Sequence, residues 1–137
     1  SNLKHNNYLP YLMGALFAKE KQCNDAVILN NHDRVCDSTI ANIFIIKDGN
    51  IFTPSLSEGC VAGVMRKYII MHANSAGFAI TEKAITIEEL SDADEIFLSN
   101  SIYNIRWVAA IENKSYTNII TSKIFVSLQK TNAAVFC

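Results

Sequence analysis

The chain has no basic cluster, no long apolar run and no closely spaced cysteine pair, and each absence removes a class of function. Its 12 Lys and Arg are interspersed among 13 Asp and Glu, for a net charge of −1. Without a Lys/Arg stripe there is no long-range field to attract a phosphate backbone, so nucleic-acid binding is not expected. No stretch approaches the roughly 18 apolar residues of a membrane span, and no charged segment leads into an apolar signal core. The expectation is a soluble, cytoplasmic protein with no membrane partner. The four cysteines, Cys23, Cys36, Cys60 and Cys137, are scattered and form no CxxC. That fits neither a disulfide framework nor a zinc knuckle, and predicts reduced structural thiols. His5, His32 and His72 share no ligand spacing with one another or with Cys36, so no metal site is expected.

What the chain does have is apolar content. Half of its 137 residues are hydrophobic, enough for one sizeable core and a single domain over residues 1–137. It has no initiator Met, and is expected to be a piece of something longer.

The most informative stretch is Arg34 to Thr53, RVCDSTIANIFIIKDGNIFT. Asp48-Gly49 between two β-rich runs predicts a tight hairpin, because glycine accepts the positive φ of a primed turn. Asp37 precedes it at a strand edge, five residues before Asn42. Residues 26–29 and 34–37 should add to these, giving three or four neighbouring strands with 41–47 and 51–53. Before them, residues 7–22 place Leu9, Leu12, Met13, Leu16 and Phe17 at helical spacing, with Pro10 tolerable in the first turn. This predicts an amphipathic helix whose apolar stripe faces a core.

Further on, a helix from Gly63 should stop near Gly77 on a glycine cap. A strand at 78–83 leads to a short helix capped by Thr86 with an acid three residues later. A strand at 94–99 ends at Ser99-Asn100-Ser101, and a hairpin is expected around Glu112–Ser115. The final helix covers roughly 118–130, and residues 131–137 read as a tail. Trp107 is assigned to the core, and Glu88-Glu89 to a solvated acidic cap. Strands interleave with helices throughout, so the class is mixed α/β.

Three polar points fall at element ends, where loops present function on a rigid scaffold. They are Lys4 before the first helix, Gly63-Val64-Met65 at the start of the second, and Ser99-Asn100-Ser101 after a strand. A helix start offers unpaired N–H groups and suits a phosphate. Taken singly, each also has an ordinary explanation: a solvated lysine, a plain helix entry, a turn former, and for Asp37 a surface acid.

Taken together, the segments LKHNNYLPYL, CDSTIANIFIIKDGNIFTP, CVAGVMRKYII and ADEIFLSNSIYNIRWV resemble the class IV aminotransferases. This pyridoxal-phosphate family contains branched-chain and D-amino-acid aminotransferases and aminodeoxychorismate lyase. The similarity is ordered, covers nearly the whole chain, and corresponds to the C-terminal, cofactor-binding part of such an enzyme. It implies the fold type IV architecture, a mixed sheet or pseudo-barrel flanked by helices. It also implies that the smaller N-terminal domain is absent from this chain, along with an arginine that grips the cofactor phosphate.

The resemblance assigns roles residue by residue. Lys4 matches the lysine that bonds the cofactor and then moves the proton at the substrate α-carbon. That chemistry needs a neutral amine, so the lysine pKa must fall from about 10.4. Tyr8 matches a tyrosine that contacts the cofactor's phenolic oxygen in the branched-chain group, and equally suits a core aromatic of the first helix. Asp37 falls where a glutamate usually pairs with the pyridine nitrogen and keeps the ring protonated. It is one methylene shorter, which requires a closer backbone, a bridging water or a weaker electron sink.

Val61 matches the apolar residue on the ring face, and Val64 and Met65 the phosphate-cradling positions. Asn100 and Ser101 match a second phosphate-side turn. Asn42 is assigned to fixing the hairpin. Met65 and Asn100 are lyase-like, which favours aminodeoxychorismate lyase. In that activity pyruvate is eliminated and 4-aminobenzoate remains for folate synthesis. A branched-chain or D-amino-acid transaminase is the alternative, and a non-catalytic cofactor-binding remnant or fragment is a third. The resemblance further implies a small-molecule amino substrate and a homodimer. These 137 residues alone are expected to be inactive and to expose apolar surface.

Overall fold

The structure, a computed structural model, describes the backbone of residues 9–136 and the side chains of residues 9–129. Its centre is a five-stranded mixed sheet in the order β5-β4-β3-β6-β7. The strands are β3 (Asn42–Lys47), β4 (Asn50–Pro54), β5 (Ile80–Lys83), β6 (Glu95–Asn100) and β7 (Asn104–Trp107). Only β4 and β5 run parallel. β3 and β6 are the middle strands, and five consecutive residues of each are buried. Covered on both faces, they read as continuous apolar runs rather than alternating ones.

The β3–β4 connection is the expected primed turn. Lys47 pairs with Asn50 across Asp48-Gly49, and both turn residues have positive φ, 50° and 79°. One face of the sheet carries Phe44, Ile46, Ile51 and Phe97, with the Phe44 and Phe97 rings stacked 4.6 Å apart. Helices α2 (Val64–Ser75) and α4 (Ile119–Phe136) cover it through Ile69, Ile124 and Leu128. Each such side chain contributes about 1.5–3 kcal/mol on burial. The opposite face carries Ile43, Ile45, Ile96 and Leu98, packed against Val35, Ile85, Leu90 and Tyr116.

The expected helix ends are present. In α2, Gly77 at φ 88° donates to Asn74 O, and Phe78 N donates to Ala73 O, a Schellman closure. In α3 (Ile87–Asp92), Thr86 and Glu89 form a reciprocal capping box, and Glu89 also pairs with Lys83 at 2.5 Å.

The four expected strands form, with β1 (Val27–Leu29) and β2 (Val35–Ser38) paired in a two-stranded ribbon of their own outside the five-stranded sheet. Arg34, just before β2, forms an isolated bridge with Thr86, the N-cap of α3. Several expectations need correction. Residues 131–136 continue α4 to Phe136 instead of forming a tail. Trp107 lies on the edge strand β7, 42% exposed, and is not core. A small hairpin of β8 (Ala110–Ile111) and β9 (Lys114–Ser115) forms where one was expected.

The largest correction concerns α1 (Leu9–Glu20). Its Leu9, Leu12, Met13, Leu16 and Phe17 stripe points outward, each residue more than half exposed. The helix packs through its small face instead. Ala18 is buried, and a Cβ on Gly14 would come within 2.4 Å of Ile28 Cδ1. Small residues let this helix lie close on β1, so the large ones face away.

Candidate active site

β2 is short and wholly buried, and it carries Asp37 into the interior with only 1% of its surface exposed. The surface-acid explanation is therefore excluded. Three donors from three elements converge on its carboxylate. Tyr11 of α1 donates its hydroxyl to Oδ2 at 2.8 Å, and the Val61 N–H reaches the same oxygen at 2.9 Å. Asn42 of β3 donates Nδ2 to Oδ1 at 2.9 Å. Burial dominates the energetics and pushes the carboxyl up to about 6, with the three donors and the nearby Arg66 cation opposing it.

Asn42 ties this centre to the next element. Its Nδ2 also donates to Val61 O at 2.8 Å. It thus holds Asp37 and the α2 entry loop together, rather than fixing the hairpin as expected. Gly63, the residue before α2, passes so close that a Cβ there would sit 2.3 Å from Asn42 Oδ1. It supplies no side-chain cap, and among the described residues the N–H groups of Val64 and Met65 meet no acceptor. Uncapped N–H groups at the positive end of a 12-residue helix make a place for an anion.

A second polar atom points the same way. Ser99 pairs directly opposite Asn42 across β3 and β6, so the two side chains share a face. Its Oγ is buried and has no hydrogen-bond partner among the described residues. A buried hydroxyl left unpaired usually costs about 1–3 kcal/mol, which marks a position where a ligand atom can repay it.

The expected site residues fall into three groups. Asp37 and Val61 are bonded to each other, and Val64 and Met65 follow at the adjoining helix start. Val64 is exposed, whereas Met65 packs its side chain into the core beneath α2, leaving its backbone N–H for binding. Asn100 and Ser101 lie in the β6–β7 turn at the Asn42 end of the sheet. The Asn100 side chain is committed on both sides: Oδ1 accepts from Ile102 and Tyr103 N–H within the turn, and Nδ2 donates to Ile40 O just before β3. Lys4 and Tyr8 lie outside the described residues. Tyr11, Asn42 and Ser99 were not assigned to the site from sequence. Tyr11 carried a usable signal, being a polar-tipped aromatic off the Leu/Met stripe.

A mixed α/β scaffold that buries a carboxylate beside an uncapped helix start can hold an anionic group there. The family model for amino-transferase class IV matches residues 1–111, and the chain belongs to this family. An aminodeoxychorismate lyase from Vibrio harveyi is 36% identical over 114 residues, 81% of this chain and 42% of the relative. A chloroplastic branched-chain aminotransferase from Arabidopsis thaliana is 36% identical over 111 residues, 80% of this chain and 27% of that protein. Among solved structures, a 4-amino-4-deoxychorismate lyase from Pseudomonas aeruginosa superposes with a TM-score of 0.85 at 29% identity. It covers 95% of this chain and 48% of its own. The chain thus spans less than half the length of the relatives it matches. The neighbours share the mixed α/β fold of this family.

Proposed function

We propose that the chain forms the cofactor-binding part of a pyridoxal-phosphate-dependent enzyme, and that its activity is that of an aminodeoxychorismate lyase. One observation carries the cofactor reading: the buried Asp37 carboxylate, held from three sides next to the open start of α2. When bound, the cofactor supplies an electron sink for charge developing at the substrate α-carbon. Asp37 would face its ring nitrogen, ionised above about pH 6 and shielded from water. The N–H groups of Val64 and Met65, with Ser101 and the Asn100 turn, would hold the phosphate. Val61 would lie against the ring, and Tyr8 near its phenolic oxygen. Lys4 would bond the cofactor and, once released, move the α-proton.

Support for the lyase comes from Met65, Asn100 and the Vibrio relative. The equal identity of the plant branched-chain enzyme favours a second reading, an amino-acid transaminase. The exposed apolar stripe of α1 supports a homodimer, or a cover from further chain. In either activity the substrate is a small amino compound.

The test is an assay of the full-length protein, of which this chain would be the cofactor-binding part, with pyridoxal phosphate. Pyruvate release from aminodeoxychorismate, without transamination to 2-oxoglutarate, is the expected result. Transamination without pyruvate release would sink the lyase and leave the transaminase. A protein that gains no violet absorbance with the cofactor, or keeps it after Lys4→Ala, would sink both.

A further inference from the structure

Tyr11 sits on the inward side of α1, off the exposed stripe, and reaches across 26 residues of sequence to Asp37. The inference drawn from this contact rests on the proposed pairing of Asp37 with the cofactor ring. A carboxylate offers about four acceptor positions. On Oδ2 both are taken, by Tyr11 Oη at 2.8 Å and Val61 N at 2.9 Å. On Oδ1 one is taken, by Asn42 Nδ2 at 2.9 Å. Among the described residues a single acceptor position therefore remains, on Oδ1, and the donors on the other oxygen fix its direction.

We propose that Tyr11 is a positioning residue: its phenol pins Oδ2 of Asp37, so that the remaining acceptor on Oδ1 is presented in one orientation to a protonated ring nitrogen. The groups around Asp37 suit Tyr11 to that work. Cys36 on the same strand is held neutral by burial, its thiol pushed up to about 11, and Cys60 in the preceding loop is pushed up to about 12. The charge of Arg66 on α2 acts on the carboxylate, but its guanidinium donates to Pro54 O and Glu82 instead. Tyr11 is itself raised far above an ordinary phenol, by burial first and then by the Asp37 charge, so it remains a donor throughout the working pH range. Among the described side chains, Tyr11 and Asn42 donate to this carboxylate, and only Tyr11 shares an oxygen with the Val61 N–H.

The experiment compares the wild-type protein with Tyr11→Phe. In cofactor-free protein labelled with 13C at aspartate, the Asp37 carboxyl should titrate near 6 in wild type. Loss of a charge-assisted donor should move it up by about one unit in the variant. Affinity for pyridoxal phosphate, read by violet absorbance, should weaken about tenfold. Adding Tyr11→Phe to Asp37→Asn should weaken it little further, because the two act as a unit. An unmoved Asp37 titration, or equal losses in both backgrounds, would overturn the role of Tyr11. Wild-type protein that takes up no cofactor would instead overturn the reading beneath it. Replacement of tyrosine by 3-fluorotyrosine keeps the shape and strengthens the donor. It should lower the Asp37 titration even if Tyr11→Phe fails to fold, and no change there also counts against the proposal.

Discussion

Helices α2 and α4 lie on the same face of the sheet and start in opposite ways. The start of α4 is closed by a buried acid. Glu95 of β6 accepts from Ile120 N at 2.9 Å with one oxygen, and from Thr121 N and Oγ1 at 2.9 and 2.8 Å with the other. The start of α2 also has a buried acid beside it. Yet Asp37 bonds Val61, three residues before the helix, and leaves Val64 and Met65 without a protein acceptor among the described residues. Two carboxylates with three donors each thus do different jobs. Glu95 draws its donors from one helix and completes it, whereas Asp37 draws them from three elements and leaves the helix open. The first N–H groups of a helix are met by a cap, by water or by a ligand, and α2 has no side-chain cap.

The contrast can be tested from its largest expected effect downward. The fold raises the Asp37 carboxyl from 3.8 to about 6, so the folded state binds this proton more tightly than the unfolded one. The resulting destabilisation is absent below about pH 4, grows between about 4 and 6, and stays full above that. It amounts to about 3 kcal/mol. Asp37→Asn cannot ionise and should flatten that stretch of the stability curve, as measured by urea unfolding across the window. A slope unchanged from wild type would remove Asp37 from the account.

Glu95→Ala should cost about 2 kcal/mol, by leaving the first N–H groups of α4 unpaired in the interior. Cofactor uptake should be unchanged, and thermal melts beside a spectral titration would check both. Gly63→Ala should show the reverse balance. Its Cβ would displace Asn42, loosening Asp37 and the α2 entry for about 1 kcal/mol of stability. Pyridoxal phosphate uptake should fall at least tenfold. If Gly63→Ala bound the cofactor normally, the closeness of Gly63 to Asn42 would be incidental.

Much of the local structure was legible from residue chemistry. Asp48-Gly49 specified a primed turn, because few other pairs accept two positive φ values in succession. Thr86 with Glu89 specified a helix start, and Gly77 a helix end. The ordered segments around Asp37, Gly63 and Asn100 marked the family. Less accessible was which neighbour each surface would meet. The α1 stripe has flawless helical spacing and still faces outward, since periodicity reports that a face exists and not what covers it. Asn42 was legible as a polar residue at the start of a strand, but its bonds to Asp37 and Val61 span 5 and 19 residues.

The amino-acid sequence by itself determined the turns, the caps, the buried middle strands and the family, all of which depend on short-range backbone sterics or on ordered motifs. Only the tertiary structure decided that Asp37 is buried, that Tyr11, Asn42 and Val61 hold it, and that Ser99 shares a face with Asn42. Those facts arise where strands and helices distant in sequence meet. The free energy of a buried carboxylate depends on every donor that reaches it, not on the residues beside it in the chain.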